Sequence, residues 1–206
     1  MTAPKVKICG ITRLEDALAA ARFGADALGF NFWPGSKRYV APAEARKIVR
    51  RLPSFVTPVG VFVDPSRGEV LGAVDASGIA VAQLHGDEPP ELCLSLPLPV
   101  LKAIRVADVH ALAALASYEV QGFLLDAPTP GYGGSGETFD WSLAAEVARE
   151  LPIVLAGGLG PHNVADAVRA VRPWAVDVAS GVERAPGVKD HDRMRLFVER
   201  AREAAR

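Results

Sequence analysis

Two residues in this chain sit where chemistry is easier to explain than packing. Cys9 closes the run Val6-Lys7-Ile8-Cys9 and is followed at once by Gly10. With a period of two, Val6 and Ile8 fall on one face of a strand and Lys7 and Cys9 on the other. A thiol at the end of a buried strand, just before a glycine turn, is placed to react; the competing reading is a structural cysteine, since free Cys is often buried. Asp126 closes the apolar run Gly122-Phe123-Leu124-Leu125. A carboxylate there must be partnered or functional, and desolvation at such a place favours the neutral acid, which can donate a proton. The competing reading is a helix cap or an ion-pair partner.

Further polar groups close other apolar runs. Phe30-Asn31-Phe32-Trp33-Pro34-Gly35-Ser36-Lys37-Arg38 combines aromatic rings with a guanidinium, which suits an aromatic ligand bearing a carboxylate, because Arg offers a planar fork. His85, in Gln83-Leu84-His85-Gly86, is a candidate polar liner. Two late glycine loops follow, one carrying Gly157 and Gly158 and the other Ser180 and Gly181. Neither holds a Lys or Arg before Arg184, so backbone N–H groups are the natural means of holding a phosphate. The glycine-rich stretch 131–137 reads as a lid or close-approach loop. The four histidines show no metal-ligand spacing, so no zinc site is expected.

These groups need a frame that brings strand ends together. Eight short apolar runs are evident, at 6–9, 27–30, 57–63, 80–84, 100–104, 122–126, 153–156 and 176–179. Helical spacing is evident at 43–52, 109–117, 142–151, 164–171 and 193–205, and Thr12 is placed to cap a helix through Leu14, Ala17, Leu18 and Ala21. Alternating buried strands and helices imply a parallel sheet with helices outside. Eight such units favour an α/β, single-domain (βα)8 TIM barrel over 1–206, with a phosphate site after strands seven and eight. An open doubly wound sheet is the competitor.

Composition limits the partners. The 206 residues carry a net charge of −1, from 23 basic and 24 acidic side chains, which gives no field for nucleic acid. Half the residues are hydrophobic, yet no apolar run approaches the roughly 18–20 residues of a membrane span. Cys9 and Cys93 do not make a disulfide framework and suit a reducing cytoplasm; Cys93, between two leucines, reads as core filler. No room for a signal peptide is evident before the first strand.

Taken together, KICGIT, GFNF, SKRYV, VGVFV, QLHGDE, LLD, GGSGETFDW, LAGGL, VDVASGVE and PGVKDHD resemble the phosphoribosylanthranilate isomerases of tryptophan biosynthesis, over nearly the whole chain. The resemblance implies an Amadori rearrangement of a phosphoribosyl substrate without a cofactor. It makes Asp126 the general acid at the furanose oxygen and Cys9 the general base at C2, with Lys7 or another positive potential lowering the thiol pKa. Arg38 would hold the anthranilate carboxylate, His85 and Asp177 would line the pocket, and Gly157, Gly158, Ser180 and Gly181 would hold the phosphate. The rivals are the aldose–ketose isomerase of histidine biosynthesis, which typically has an aspartate where Cys9 stands, and a non-catalytic phosphosugar-binding barrel.

A homodimer and heat resistance are also expected. Thermolabile types are scarce, with two Asn, two Gln, two Cys and two Met, while 16 prolines restrict the unfolded chain. A thermal unfolding midpoint above the mesophile cluster of about 45–65 °C is the expected outcome in a calorimetric scan; a midpoint inside that range refutes it.

Overall fold

The computed structural model describes residues 2–128 and 138–205. Eight parallel strands close into a barrel in sequence order: β1 (Lys5–Ile8), β2 (Ala27–Asn31), β3 (Thr57–Phe62), β4 (Val81–Leu84), β5 (Val100–Arg105), β6 (Gly122–Asp126), β7 (Ile153–Leu155) and β8 (Ala175–Val178). The open-sheet alternative is excluded, because β1 pairs with β8 as well as with β2. The helices are α1 (Leu14–Phe23), α2 (Pro42–Val49), α3 (Arg67–Ser77), α4 (Pro90–Ser95), α5 (Val109–Leu112), α6 (Trp141–Val147), α7 (Val164–Val171) and α8 (His191–Glu203). A short antiparallel pair, β9 (Glu183–Ala185) with β10 (Val188–Lys189), follows the barrel.

Alternation along the strands builds two apolar layers. Val6, Ile8, Leu28, Phe30 and Leu84 belong to the large cluster that includes helix residues such as Ala17, Val168 and Phe197. A smaller cluster of Ala103, Leu124, Val154, Ala156 and Ala175 fills the barrel. The inner face of β1 carries Lys7, whose ammonium meets Asp177 of β8 at 2.8 Å, both side chains being buried. Cys93 is buried in the outer layer, as core filler should be.

Several boundaries differ from the sequence reading. Thr12 does not cap α1: Arg13 is the N-cap residue, and the Thr12 hydroxyl donates to the Gly187 carbonyl at 2.5 Å. Thr12 is held by the β9–β10 connection, a contact between distant parts of the chain. Cys9 lies one residue past β1, though its N–H still donates to the Val178 carbonyl at 2.8 Å. The helical stretch at 109–117 splits into α5 and a 3₁₀ turn. α3, opened by a Ser66–Glu69 capping box, and the six-residue α4 were not evident from periodicity. The glycine-rich 131–137 stretch lies outside the described residues.

A second buried ion pair pins the loops after β3 and β4. Lys102, on the outer face of β5, donates to Glu88 Oε2 and to the Gly86 carbonyl, each at 2.7 Å. Glu88 also accepts from the N–H groups of Asp64 and Gly86. Lys102, Glu88 and Gly86 are buried, so removing one charge strands the other. Lys102→Met is expected to cost about 3–5 kcal/mol in equilibrium denaturation; a change under about 1 kcal/mol would show that the knot carries little stability.

Candidate active site

The C-terminal ends of every strand except β5 contribute to one cavity. It brings together Cys9, Arg38, His85, Asp126, Asp177, Gly157, Gly158 and Ser180, which lie far apart in sequence. Gly181 is not among its lining residues. A side chain there would collide with the Leu159 carbonyl and stand 3.0 Å from Gly160 Cα. Gly181 therefore permits the loops after β7 and β8 to approach each other.

Cys9 stands on the barrel seam beside the Lys7–Asp177 pair. A Cβ on Gly29 would lie 2.7 Å from Cys9 Sγ and 3.2 Å from Lys7 Nζ, so the absence of a side chain on β2 makes room for the thiol. Lys7 does not lower the thiol pKa overall, contrary to the sequence expectation. Burial is the largest influence and pushes Cys9 up; Lys7 pulls it down, and Asp177 opposes Lys7. The same surroundings act oppositely on Lys7: burial disfavours its charge, but Asp177 and then Cys9 outweigh burial and its pKa rises.

Arg38 faces the cavity with much of its fork already engaged. Its Nε donates to Glu183 Oε1 at 2.9 Å and its Nη2 to Oε2 at 2.8 Å. Burial raises the Glu183 carboxyl, yet Arg38 and Lys189 outweigh it and hold the group below the usual carboxylate range. Lys189 is fully buried and donates to Glu183 Oε1 at 2.8 Å, to the Cys9 carbonyl at 2.5 Å and to the Ala179 carbonyl at 3.2 Å. One chain of charges thus ties Arg38 to the backbone under the thiol and to the end of β8. Gly10, at φ 73°, allows Arg38 to pass: a Cβ there would collide with Arg38 Cδ.

Asp126 is partnered on both oxygens. Oδ1 accepts the Ala127 N–H at 2.9 Å, and Oδ2 lies 3.2 Å from His85 Nε2. Behind His85, the Gln83 amide nitrogen is 2.8 Å from Nδ1. An amide nitrogen can only donate, so Nδ1 accepts and His85 carries its hydrogen on Nε2, pointing at Asp126. Gly157, at φ 81°, passes within reach of this carboxyl, since a Cβ there would stand 3.1 Å from Asp126 Oδ1. The Gly157 and Gly158 turn is fixed by Asn163, which accepts the Gly160 N–H at 2.8 Å and donates to the Gly158 carbonyl at 3.1 Å.

Gln83, Glu183 and Lys189 escaped the sequence reading. Gln83 carried a usable signal: it is two residues before His85, so it shares the inward face of β4 and its extension. Glu183 and Lys189 carried none, because their role depends on how β9 and β10 fold back. Among the described residues, no group of three or more His, Cys, Asp or Glu side chains is placed to hold a metal ion. No helix among them is long and apolar enough to cross a membrane.

Comparison with known proteins agrees with this geometry. Residues 6–200 match the family model described as N-(5'phosphoribosyl)anthranilate (PRA) isomerase. The chain is 49% identical over 203 residues to the N-(5'-phosphoribosyl)anthranilate isomerase of Myxococcus xanthus, covering 96% of each protein. It is 52% identical over 199 residues to the Geobacter sp. (strain M21) enzyme of the same name, covering 96% of this chain and 98% of that one. The crystal structure of the Thermotoga maritima phosphoribosyl anthranilate isomerase superimposes with a TM-score of 0.93 at 47% identity, over 97% of this chain and 99% of that one. A structure of such an isomerase in complex with reduced 1-(o-carboxyphenylamino)-1-deoxyribulose 5-phosphate gives a TM-score of 0.89 at 43% identity, over 97% of this chain and 99% of that one. A family match across nearly the whole chain, on a barrel whose strand ends converge on one polar cavity, places this chain in the N-(5'-phosphoribosyl)anthranilate isomerase family.

Proposed function

We propose that this chain, as one catalytic domain over 1–206, isomerises N-(5-phosphoribosyl)anthranilate to 1-(o-carboxyphenylamino)-1-deoxyribulose 5-phosphate, with Asp126 as general acid and Cys9 as general base. The observation that carries the reading is the convergence of Cys9 and Asp126 on one cavity, whose lining includes Asp177 held by Lys7. Protonated Asp126 gives its proton to the furanose ring oxygen as the C1–O bond breaks, and the nitrogen lone pair forms a C1=N⁺ iminium. Cys9 thiolate then removes the C2 proton, giving an enolamine that tautomerises to the ketose. Burial favours the protonated thiol before substrate arrives. The cationic iminium beside it supplies the opposite charge that favours the thiolate when it is needed. The iminium activates the C–H bond itself, so the scheme draws on no cofactor.

Arg38, already oriented by Glu183, offers its remaining N–H groups to the anthranilate carboxylate. His85 and Asp177 lie beside the ribose. Gly157, Gly158 and Ser180 line the phosphate end, with Gly181 allowing the loop contact behind them. Two free cysteines suit a cytoplasmic location. Cys9→Ala and Asp126→Asn are each expected to lower kcat by on the order of 10²–10⁴-fold with the fold intact by circular dichroism. Retention of more than about a tenth of kcat by either variant would remove that residue from its role.

We also propose a homodimer through the opposite, N-terminal end of the barrel. Phe55 is 98% exposed there and Trp174 59%. Both border a groove of about 400 Å³ with Val59, Val81, Leu101 and Val154. A large exposed ring beside an apolar groove fits a two-fold contact in which each Phe55 enters the partner's groove. One structural relative, from Thermotoga maritima, is a monomeric form generated from a dimeric isomerase. Sedimentation at micromolar concentration is expected to give a dimer, and Phe55→Glu a monomer that keeps its turnover; a monomeric parent chain would refute the contact.

A further inference from the structure

The group behind the acid has a property that its partners do not explain. Gln83 is 1% exposed, and its amide oxygen Oε1 is buried with no hydrogen-bond partner among the described residues. Leaving a buried acceptor unmade is costly. Turning the amide over would present Oε1 to His85 Nδ1, which can give it a hydrogen bond only in a state that carries a hydrogen on Nδ1. The structure therefore holds the arrangement suited to a bare Nδ1, with an acceptor in reserve.

Adding one proton to the His85–Asp126 pair leaves three arrangements. In one, Asp126 turns its hydrogen to the cavity while Oδ2 still accepts from His85 Nε2–H, which leaves Nδ1 bare. The two others put a hydrogen on Nδ1. The proton can sit on Asp126 Oδ2, which then donates to His85 Nε2, and a neutral imidazole with a bare Nε2 must carry its hydrogen on Nδ1. Or the proton can sit on the imidazole, which then carries hydrogens on both nitrogens. In both of these cases Nδ1 bears a hydrogen, and the Gln83 NH₂ group facing it becomes a clash of donors. Among the described residues the remedy at hand is Oε1 of the same amide, which a half-turn of its broad, roughly two-fold terminal torsion brings round.

We propose that Gln83 is a positioning residue for the acid, its buried amide turning over whenever His85 Nδ1 takes up a hydrogen, so that His85 is held in both states of that nitrogen. Gln suits the position because one side chain offers both a donor and an acceptor. When the acid has delivered its proton to the ring oxygen, the neutral imidazole left with its hydrogen on Nδ1 gives that hydrogen to solvent and takes one from solvent on Nε2, and the amide returns. The inference rests on the reading of Asp126 as the acid. The other charged or titratable groups lining the cavity are Cys9, Arg38 and Asp177. Asp177 is paired with Lys7, and Arg38 with Glu183. On the neighbouring β5, Lys102 is paired with Glu88 and Arg105 with Asp87. Among the described residues, the side chain bonded to His85 Nδ1 is that of Gln83.

The direct measurement is nitrogen NMR of the full-length ¹⁵N-labelled chain across a pH titration. In the parent protein, a coupling across the hydrogen bond from Gln83 Nε2 to His85 Nδ1 is expected at high pH and is lost as Nδ1 gains its hydrogen; its absence at every pH overturns the inference. Gln83→Met removes both donor and acceptor, and the pH at which Nδ1 gains its hydrogen should fall by about one unit. Gln83→Glu supplies a permanent acceptor and should raise it. An unmoved midpoint in both variants also overturns the inference. At neutral pH, Gln83→Met should lose up to about tenfold in kcat with KM within about twofold, as the loaded fraction shrinks; an unchanged kcat overturns it. Should Gln83→Met fail to fold, the coupling in the parent protein still decides. An active Asp126→Asn variant would instead remove the acid assignment, while leaving the His85 titration as measured.

Discussion

The barrel closes where β1 meets β8, and that seam carries a buried ion pair. Lys7 and Asp177 are register partners and are joined at 2.8 Å. Neither charge would be tolerable alone in this interior. Together they supply a polar floor on which the cavity is built, and Cys9 stands directly above them. The apolar layer of Ala103, Leu124, Val154 and Ala175 fills the barrel elsewhere. The closed sheet therefore gives both stability and a place where charge is permitted.

A second set of charges carries that order outward. Lys189 is placed by a two-residue strand far along the chain, yet its ammonium bonds to the carbonyls at the ends of both seam strands. Glu183 connects it to Arg38. The thiol, the guanidinium and the end of β8 thus share one rigid support. On the other side of the cavity the support is a line of hydrogen bonds through Gln83, His85 and Asp126. Fixed charge holds the base side, and a rearrangeable amide backs the acid side. That difference matches the tasks proposed for them, since a group that loses and regains a proton needs a neighbour able to answer both states.

The strands were legible because buried parallel strands are short apolar runs with glycine turns between them, and all eight appeared in order. α7 was readable to its last residue, at Val164–Val171, because its apolar positions repeat on one face. α3 was not, because Gly68 and Gly72 interrupt its pattern; its capping box, Ser66 with Glu69, was a readable signal left unused. α4 is a six-residue helix opened by prolines, too short to show a period. Thr12 looked like a cap because its residue type fits one, but its hydroxyl is claimed by Gly187 from the far end of the chain.

By itself, the sequence determined the alternation of elements, the closed barrel and the residue types at the strand mouths. Cys9, Asp126, Arg38, His85, Asp177, Gly157, Gly158 and Ser180 are all local features, each marked by its place at the end of an apolar run or in a turn, and the cavity gathers them. Only the tertiary structure decided how these groups are charged and held. Burial outweighs Lys7 at the thiol, and Asp177 adds to it. Arg38 is shared with Glu183 because β9 folds back across the mouth. The hydrogen on His85 is assigned by Gln83. Such effects depend on distances of a few ångströms between residues up to 180 positions apart, and local pattern carries no information about separations of that kind.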